Sequence, residues 1–175
     1  MNTILETKRL ILREMVDTDF ESLKKFLSDP ENMKYYPAPY DDNGVNRWLN
    51  WCKWSYKEHG FGLWAVILKE TGEMIGDCGI SMQIIDDVEK PELGYHLRLE
   101  YHKQGLGYEM ASAVKDYFFN HFNFDELYSY MNEANLPSYK LAEKNGMTFQ
   151  HLYKDPRGNI DRVYKITRDE WNSKK

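Results

Sequence analysis

Pro91-Glu92-Leu93-Gly94-Tyr95-His96-Leu97-Arg98-Leu99, followed by Tyr101-His102-Lys103-Gln104-Gly105-Leu106-Gly107-Tyr108, decides how the rest of the chain is read. The first nine residues alternate as a strand does: Leu93, Tyr95, Leu97 and Leu99 fall on one face, Glu92, Gly94, His96 and Arg98 on the other. The second segment is a polar turn with two glycines. A helix begins around Gly107, because Met110, Val114, Tyr117, Phe118 and His121 recur at core-facing helical spacing. Glycine permits positive φ and lets backbone approach a ligand closely. A helix start offers unpaired N–H groups and the positive end of the helix dipole. Strand, glycine turn and helix together form an anion site suited to a pyrophosphate, although the same residues also make a plain tight connection. Met110 stands where a dinucleotide fingerprint wants its third glycine, and no Gly-Lys-Ser/Thr run exists. The anion is therefore neither a dinucleotide nor a P-loop triphosphate.

Upstream, Thr7 to Met15 reads as a first strand, with Leu10 and Leu12 alternating against Arg9, Ile11 and Arg13. Asp17 to Leu27 reads as a helix that Asp17 or Thr18 can cap and Asp29-Pro30 stops. Asn32 to Gly44 reads as a loop, and Val45 to Tyr56 as a second helix. Phe61 to Leu68 and Met74 to Met82 flank a glycine-bearing turn, a hairpin signal. Downstream, Leu127 to Met131 is a short strand and Asn135 to Lys144 a helix with Pro137 in its first turn and Asn145-Gly146 as its stop. Met147 to Leu152 and Arg162 to Thr167 close the chain as a strand pair. The order is mixed α/β with a largely antiparallel first half. No repeat, low-complexity tract or linker divides residues 1–175, so a single domain is expected.

Composition narrows the function classes. The 175 residues are 42% hydrophobic and include 13 Tyr, 8 Phe and 5 Trp, too apolar for a disordered chain. The net charge of −5 argues against a broad grip on nucleic acid. No window approaches the roughly 18 apolar residues of a membrane span, and Met1 to Arg9 lacks a signal-peptide pattern. Cys52 and Cys78 lie on separate expected elements and read as two reduced, packed thiols, which fits a cytoplasmic location. The five histidines show no metal-ligand spacing, so no metal is expected.

Several segments, in this order and spacing, resemble the GNAT superfamily of N-acetyltransferases, and within it the RimJ/RimL-like branch that acetylates ribosomal-protein N-termini. They are Thr7-Lys8-Arg9-Leu10-Ile11-Leu12-Arg13, Glu92-Leu93-Gly94-Tyr95-His96-Leu97, the glycine turn, Asn135-Leu136-Pro137-Ser138, Glu143-Lys144-Asn145-Gly146-Met147 and Tyr164 to Trp171. The resemblance implies a GNAT fold: a mixed, mostly antiparallel central sheet of about seven strands, splayed at the acetyl-CoA site and flanked by about four helices. It implies direct transfer of acetyl from acetyl-CoA to a primary amine, on a peptide N-terminus or a small cationic molecule, within a ternary complex. A homodimer is compatible with it.

The resemblance also assigns roles. Leu97, Arg98 and Leu99 would offer backbone groups to the pantetheine arm, and Asn135 would hydrogen-bond it; Asn135 is equally suited to capping a helix. The amides of Lys103, Gln104, Gly105, Leu106, Gly107 and Tyr108 would hold the pyrophosphate. His102 replaces the family's Gln or Arg, which puts a side-chain contact to phosphate in question, and Met147 replaces Phe. Removing a proton from a lysine-like amine, of reference pKa about 10.4, needs a base or a water chain. Glu92 is the candidate base, or else a solvated strand-edge carboxylate. The Leu97 N–H is a candidate to polarise the thioester carbonyl. Ser138 is the candidate proton donor to the leaving thiolate, or else a first-turn helix bond; Ala142 stands where many relatives carry a Tyr, and Tyr139, Tyr128 and Tyr130 are the alternative donors, or else packing residues. Trp48, Trp51, Trp54, Tyr35, Tyr36 and Tyr40 fall on the acceptor side, with Asp29, Glu31, Asp41, Asp42, Asp86, Asp87 and Glu89 expected near its mouth. A non-catalytic acetyl-CoA-binding module is the alternative that His102 and Ala142 leave open.

Overall fold

The structure is a computed structural model and describes residues 2–175. Eight strands form one sheet: β1 (Thr3–Glu6), β2 (Leu10–Arg13), β3 (Leu63–Leu68), β4 (Met74–Ile85), β5 (Val88–Leu97), β6 (Glu126–Asn132), β7 (Thr148–Lys154) and β8 (Ile160–Thr167). Five helices accompany them: α1 (Phe20–Leu27), α2 (Asp42–His59), α3 (Leu106–His121), α4 (Leu136–Lys144) and α5 (Arg168–Ser173). The spatial order is β1-β2-β3-β4-β5-β6-β8-β7. Every neighbouring pair is antiparallel except β5 with β6, which run parallel through the α3 crossover. The expected mixed α/β architecture is present.

Alternation along the strands builds two cores. Trp64, Val66 and Leu68 of β3 face one side with Leu10, Leu12 and the Met110, Val114 and Phe118 stripe of α3. Leu63 and Ala65 face the other, under Leu23, Phe26 and Leu27 of α1 and Val45, Leu49 and Cys52 of α2. The helix period in α3 and the period of two in β3 therefore place a helical layer on each face. Cys52 and Cys78 are free and buried, in different cores. Among the described residues no helix is long and apolar enough to cross a membrane.

The structure corrects several boundaries. The first expected strand is two: Thr3–Glu6 precedes and pairs with Leu10–Arg13. The first helix opens as a 3₁₀ turn, Asp17–Asp19, and neither Asp17 nor Thr18 caps it; Asp19 Oδ2 accepts the Val16 N–H at 2.8 Å. The second helix is longer than expected because Asp41 caps it, accepting from the Gly44 N–H at 2.7 Å, and it runs to His59 before Gly60 adopts left-handed φ. Leu99 leaves the strand for a 3₁₀ turn, Leu99–Tyr101. The closing helix α5 was not expected, although Thr167 and Glu170 form a capping box that announces it.

Candidate active site

Among the described residues, the sheet parts at the β5–β6 pair. Its register is a single residue pair, Glu92 with Tyr128, supplemented by Ser129 Oγ donating to the Leu93 carbonyl at 3.0 Å. The strands diverge beyond that join, as the resemblance implied. A cavity of about 240 Å³ opens there, between the sheet and the loop that links α1 to α2. Glu92, Gly94 and His96, the three alternate residues of β5, supply its floor. Tyr35, Tyr36, Tyr40, Trp48 and Trp51 supply the opposite wall. Trp54, by contrast, lies outside it and is 51% exposed. The β7–β8 hairpin contributes a rim of Asp155, Arg157, Asn159 and Asp161 that the sequence reading missed, because only the β8–β6 pairing brings it there.

Glu92 is 8% exposed, and burial raises its carboxyl to about 8, partly offset by the Tyr130 backbone amide. Desolvation disfavours a charge wherever no partner compensates for it. A Cβ at Gly94 would lie 2.9 Å from Glu92 Oε2, so the missing side chain makes room for the carboxyl along the strand. Tyr36 is partly exposed, yet burial together with Asp77 and Glu92 raises its phenol, so it stays neutral. On the rim, hydrogen bonds from Asn159 and Arg157 hold Asp155 at about 2.

The other expected residues divide. Asn135 lines the cavity and also caps α4, its Oδ1 accepting the Ser138 N–H at 3.3 Å. Ser138 does not line it. Its Oγ lies 3.2 Å from the hydroxyl of Tyr95, a cavity residue that also donates to the Ser138 carbonyl at 3.0 Å. The backbone of Leu97, Arg98 and Leu99 is largely occupied, contrary to expectation. The Leu97 carbonyl accepts from Asn32 Nδ2 at 3.0 Å and lies 2.7 Å from His102 Nε2. Arg98 N–H donates to the Ile75 carbonyl at 2.9 Å, and Leu99 N–H to Asn32 Oδ1 at 3.2 Å. The His102 ring thus folds back onto β5.

The glycine turn lies past the end of β5 and does not line the cavity. Lys103 and Gly105 both take left-handed φ, +60° and +77°. No backbone carbonyl among the described residues accepts from the N–H groups of Lys103, Gln104 or Gly105. Leu106, Gly107 and Tyr108 open α3, where helix geometry leaves N–H groups without intrahelical acceptors. Successive free amides of this kind form an anion cradle, so the turn fits a pyrophosphate. Arg9 braces it: Nη1 donates to the Gln104 carbonyl at 2.9 Å and Nε to Glu109 Oε2 at 2.7 Å.

None of the seven acids expected at the acceptor mouth lines the cavity, and five of them have partners elsewhere. Asp29 bonds the Asn32 N–H, Glu31 pairs with Lys34, Asp41 caps α2, Asp42 pairs with Lys24 and Asp86 faces His151. The cavity's own carboxylates are Glu92, Asp155 and Asp161.

A splayed parallel join followed by a glycine turn at a helix start is what the GNAT resemblance implied, and comparison with known proteins agrees. The acetyltransferase (GNAT) domain matches residues 9–148. The Bacillus subtilis (strain 168) protein YkkB is 36% identical over 148 residues, 84% of this chain and 86% of that one. The uncharacterized N-acetyltransferase p20 of Bacillus licheniformis is 31% identical over 167 residues, 91% of this chain and 92% of that one. The crystal structure of an acetyltransferase from Agrobacterium tumefaciens str. C58 superposes with a TM-score of 0.81 at 30% identity, covering 95% of this chain and 94% of that one. The chain belongs to the GNAT acetyltransferase family, and is accordingly an acetyl-CoA-dependent acyltransferase.

Proposed function

We propose that this protein is an N-acetyltransferase of the RimJ/RimL-like type, acting in the cytoplasm on a primary amine of a peptide N-terminus or a small cationic molecule. The observation that carries the reading is the buried Glu92 carboxyl, raised to about 8, at the last paired residue of the β5–β6 wedge and facing an aromatic cavity. A base with a pKa near working pH suits proton abstraction from an amine. In the reaction, the amine nitrogen attacks the thioester carbonyl, its proton passes to Glu92, the C–N bond forms and the C–S bond breaks. The thiolate takes a proton from the cavity-lining Tyr95 hydroxyl, Ser138 Oγ at 3.2 Å replaces it, and solvent reprotonates Ser138 while Glu92 releases the amine proton to solvent, so neither hydroxyl is left charged. The carboxylates Asp155 and Asp161 favour a cationic acceptor, with Arg157 as the opposing charge.

The test is thiol release from acetyl-CoA across a panel of peptides and small amines. Saturable, amine-dependent release is expected. Tight acetyl-CoA binding with no release from any amine would mark a non-catalytic binding module instead.

Cofactor placement has its own test. Gly107→Val puts a branched side chain at the helix start, where even a Cβ would meet Leu141 Cδ2 at 3.3 Å. Titration calorimetry should show acetyl-CoA affinity reduced about tenfold or more, as expected when a backbone–phosphate approach is blocked. Unchanged affinity would move the pyrophosphate off the 103–108 turn.

A further inference from the structure

The reaction just described leaves the buried His96, which lines the cavity, unused. Asp77 and His96 face each other directly across the antiparallel β4–β5 pair, so both side chains project to the same face. Asp77 is fully buried. Its Oδ1 accepts the His96 backbone N–H at 3.0 Å and lies 2.9 Å from His96 Nδ1, and its Oδ2 accepts Trp48 Nε1–H at 3.1 Å. The arrangement fixes the polarity of the ring. A carboxylate accepts only, so Nδ1 carries a proton, and Nε2 holds a lone pair when the ring is neutral. That Nε2 is buried and has no hydrogen-bond partner.

A packing role accounts for the ring's cage but not for its two nitrogens, of which Nδ1 is met by Asp77 and Nε2 by nothing among the described residues. The ring is caged by Phe26, Tyr36 and Trp48, with centroids 5.8, 5.2 and 5.5 Å away, and a phenylalanine would fill that cage. A histidine braced by a buried carboxylate adds an oriented ring nitrogen without a partner among the described residues, and such a group is costly unless a partner arrives. His96 lines the acceptor cavity. Tyr36, 40% exposed in the α1–α2 loop, packs on the ring with its centroid 5.2 Å away.

We propose that His96, held by Asp77, selects the acceptor: Nε2 accepts a hydrogen bond from a second N–H or O–H group of the amine substrate, remote from the nitrogen that is acetylated. The inference rests on the acetyl-transfer reading above and adds the substrate class. His96 stands four residues from Glu92 on the same strand face, about 13 Å at the usual strand rise. The substrate is therefore an extended bifunctional amine, with one end at Glu92 and the other at His96.

Octylamine, 8-aminooctan-1-ol and 1,8-diaminooctane share a chain and differ at the far end. The experiment measures kcat/KM for each by thiol release, in wild type, His96→Phe and His96→Gln, with acetyl-CoA affinity followed by calorimetry. Wild type should prefer a donor-bearing amine over octylamine by at least about tenfold, since a site built to hydrogen-bond a group rejects the analogue lacking it. His96→Phe should bring that ratio to about one, chiefly through a higher KM for the donor-bearing amine, with acetyl-CoA affinity kept. His96→Gln, which retains an amide at the ring's position, should restore part of it. Preference for the diamine identifies an ammonium donor, and preference for the amino alcohol a hydroxyl. A flat ratio in wild type, or a ratio that both variants leave intact, overturns the inference while acetyl transfer stands. Bound acetyl-CoA with no thiol release from any amine overturns both.

Discussion

Glu92→Gln should lower kcat by about 10²–10⁴-fold, the usual worth of a positioned general base, with acetyl-CoA affinity retained. The amide keeps the shape of the side chain beside Gly94 and abolishes its basicity. The pH profile carries the sign. Burial raises the Glu92 carboxyl to about 8, so the base form accumulates only as pH rises. The wild-type rate should therefore climb through about pH 8 and level off above it, and in the Gln variant that limb should vanish. Stability moves the opposite way. The folded protein holds this proton above the pH at which the unfolded chain, with a value near 4.5, releases it. Between about 4.5 and 8 the native state binds more protons than the unfolded state, so Glu92's contribution falls as pH rises. Thermal melts of wild type and Glu92→Gln across that window should show wild type losing ground toward alkaline pH. An identical pH–rate limb in the variant would assign the base role to water or to another carboxylate.

Asp19→Ala should destabilise the protein by about 3–5 kcal/mol, the cost of leaving one partner of a buried pair alone. Arg13 meets Asp19 through two bonds of 2.8 Å, Nη1 to Oδ2 and Nη2 to Oδ1, with both side chains largely shielded from solvent. Asp19 raises the Arg13 guanidinium further, chiefly through the hydrogen bond, with burial opposing it. The same carboxylate accepts the Val16 N–H at the 3₁₀ turn before α1. Its loss thus strips a buried cation and a helix entrance together. For a chain of this size the melting temperature should fall by roughly 10 °C. Arg13→Met combined with Asp19→Leu should recover much of that, because no unpaired charge remains. A single variant that melts within about 2 °C of wild type would show the pair to be solvent-compensated.

The local pattern carried much of the architecture. The alternation from Leu93 to Leu97, the glycine turn and the α3 stripe located the crossover strand, its helix and the turn between them, because each depends on neighbours in sequence. What escaped depends on register. Asp77 is an ordinary acid in sequence and becomes half of a buried pair only through the β4–β5 alignment that sets it against His96. Asn32 falls in a loop, and its grip on Leu97 and Leu99 joins residues 65 and 67 positions apart. Trp54 follows the pattern of the aromatic wall and points away from it, because on α2 it lies off the face carrying Trp48 and Trp51. The acids expected at the mouth were legible as charges, but their caps and ion pairs were not.

The sheet order also imposes a schedule on synthesis. β8 lies between β6 and β7 although it is the last strand in the chain. Until it emerges, β6 has β5 on one side, along a single registered pair, and an unpaired edge on the other. That open edge is a template for pairing with another chain. A nascent chain halted before Ile160 would hold the glycine turn and the aromatic wall with the cavity unfinished, and its exposed β6 edge would be the place where misassembly begins.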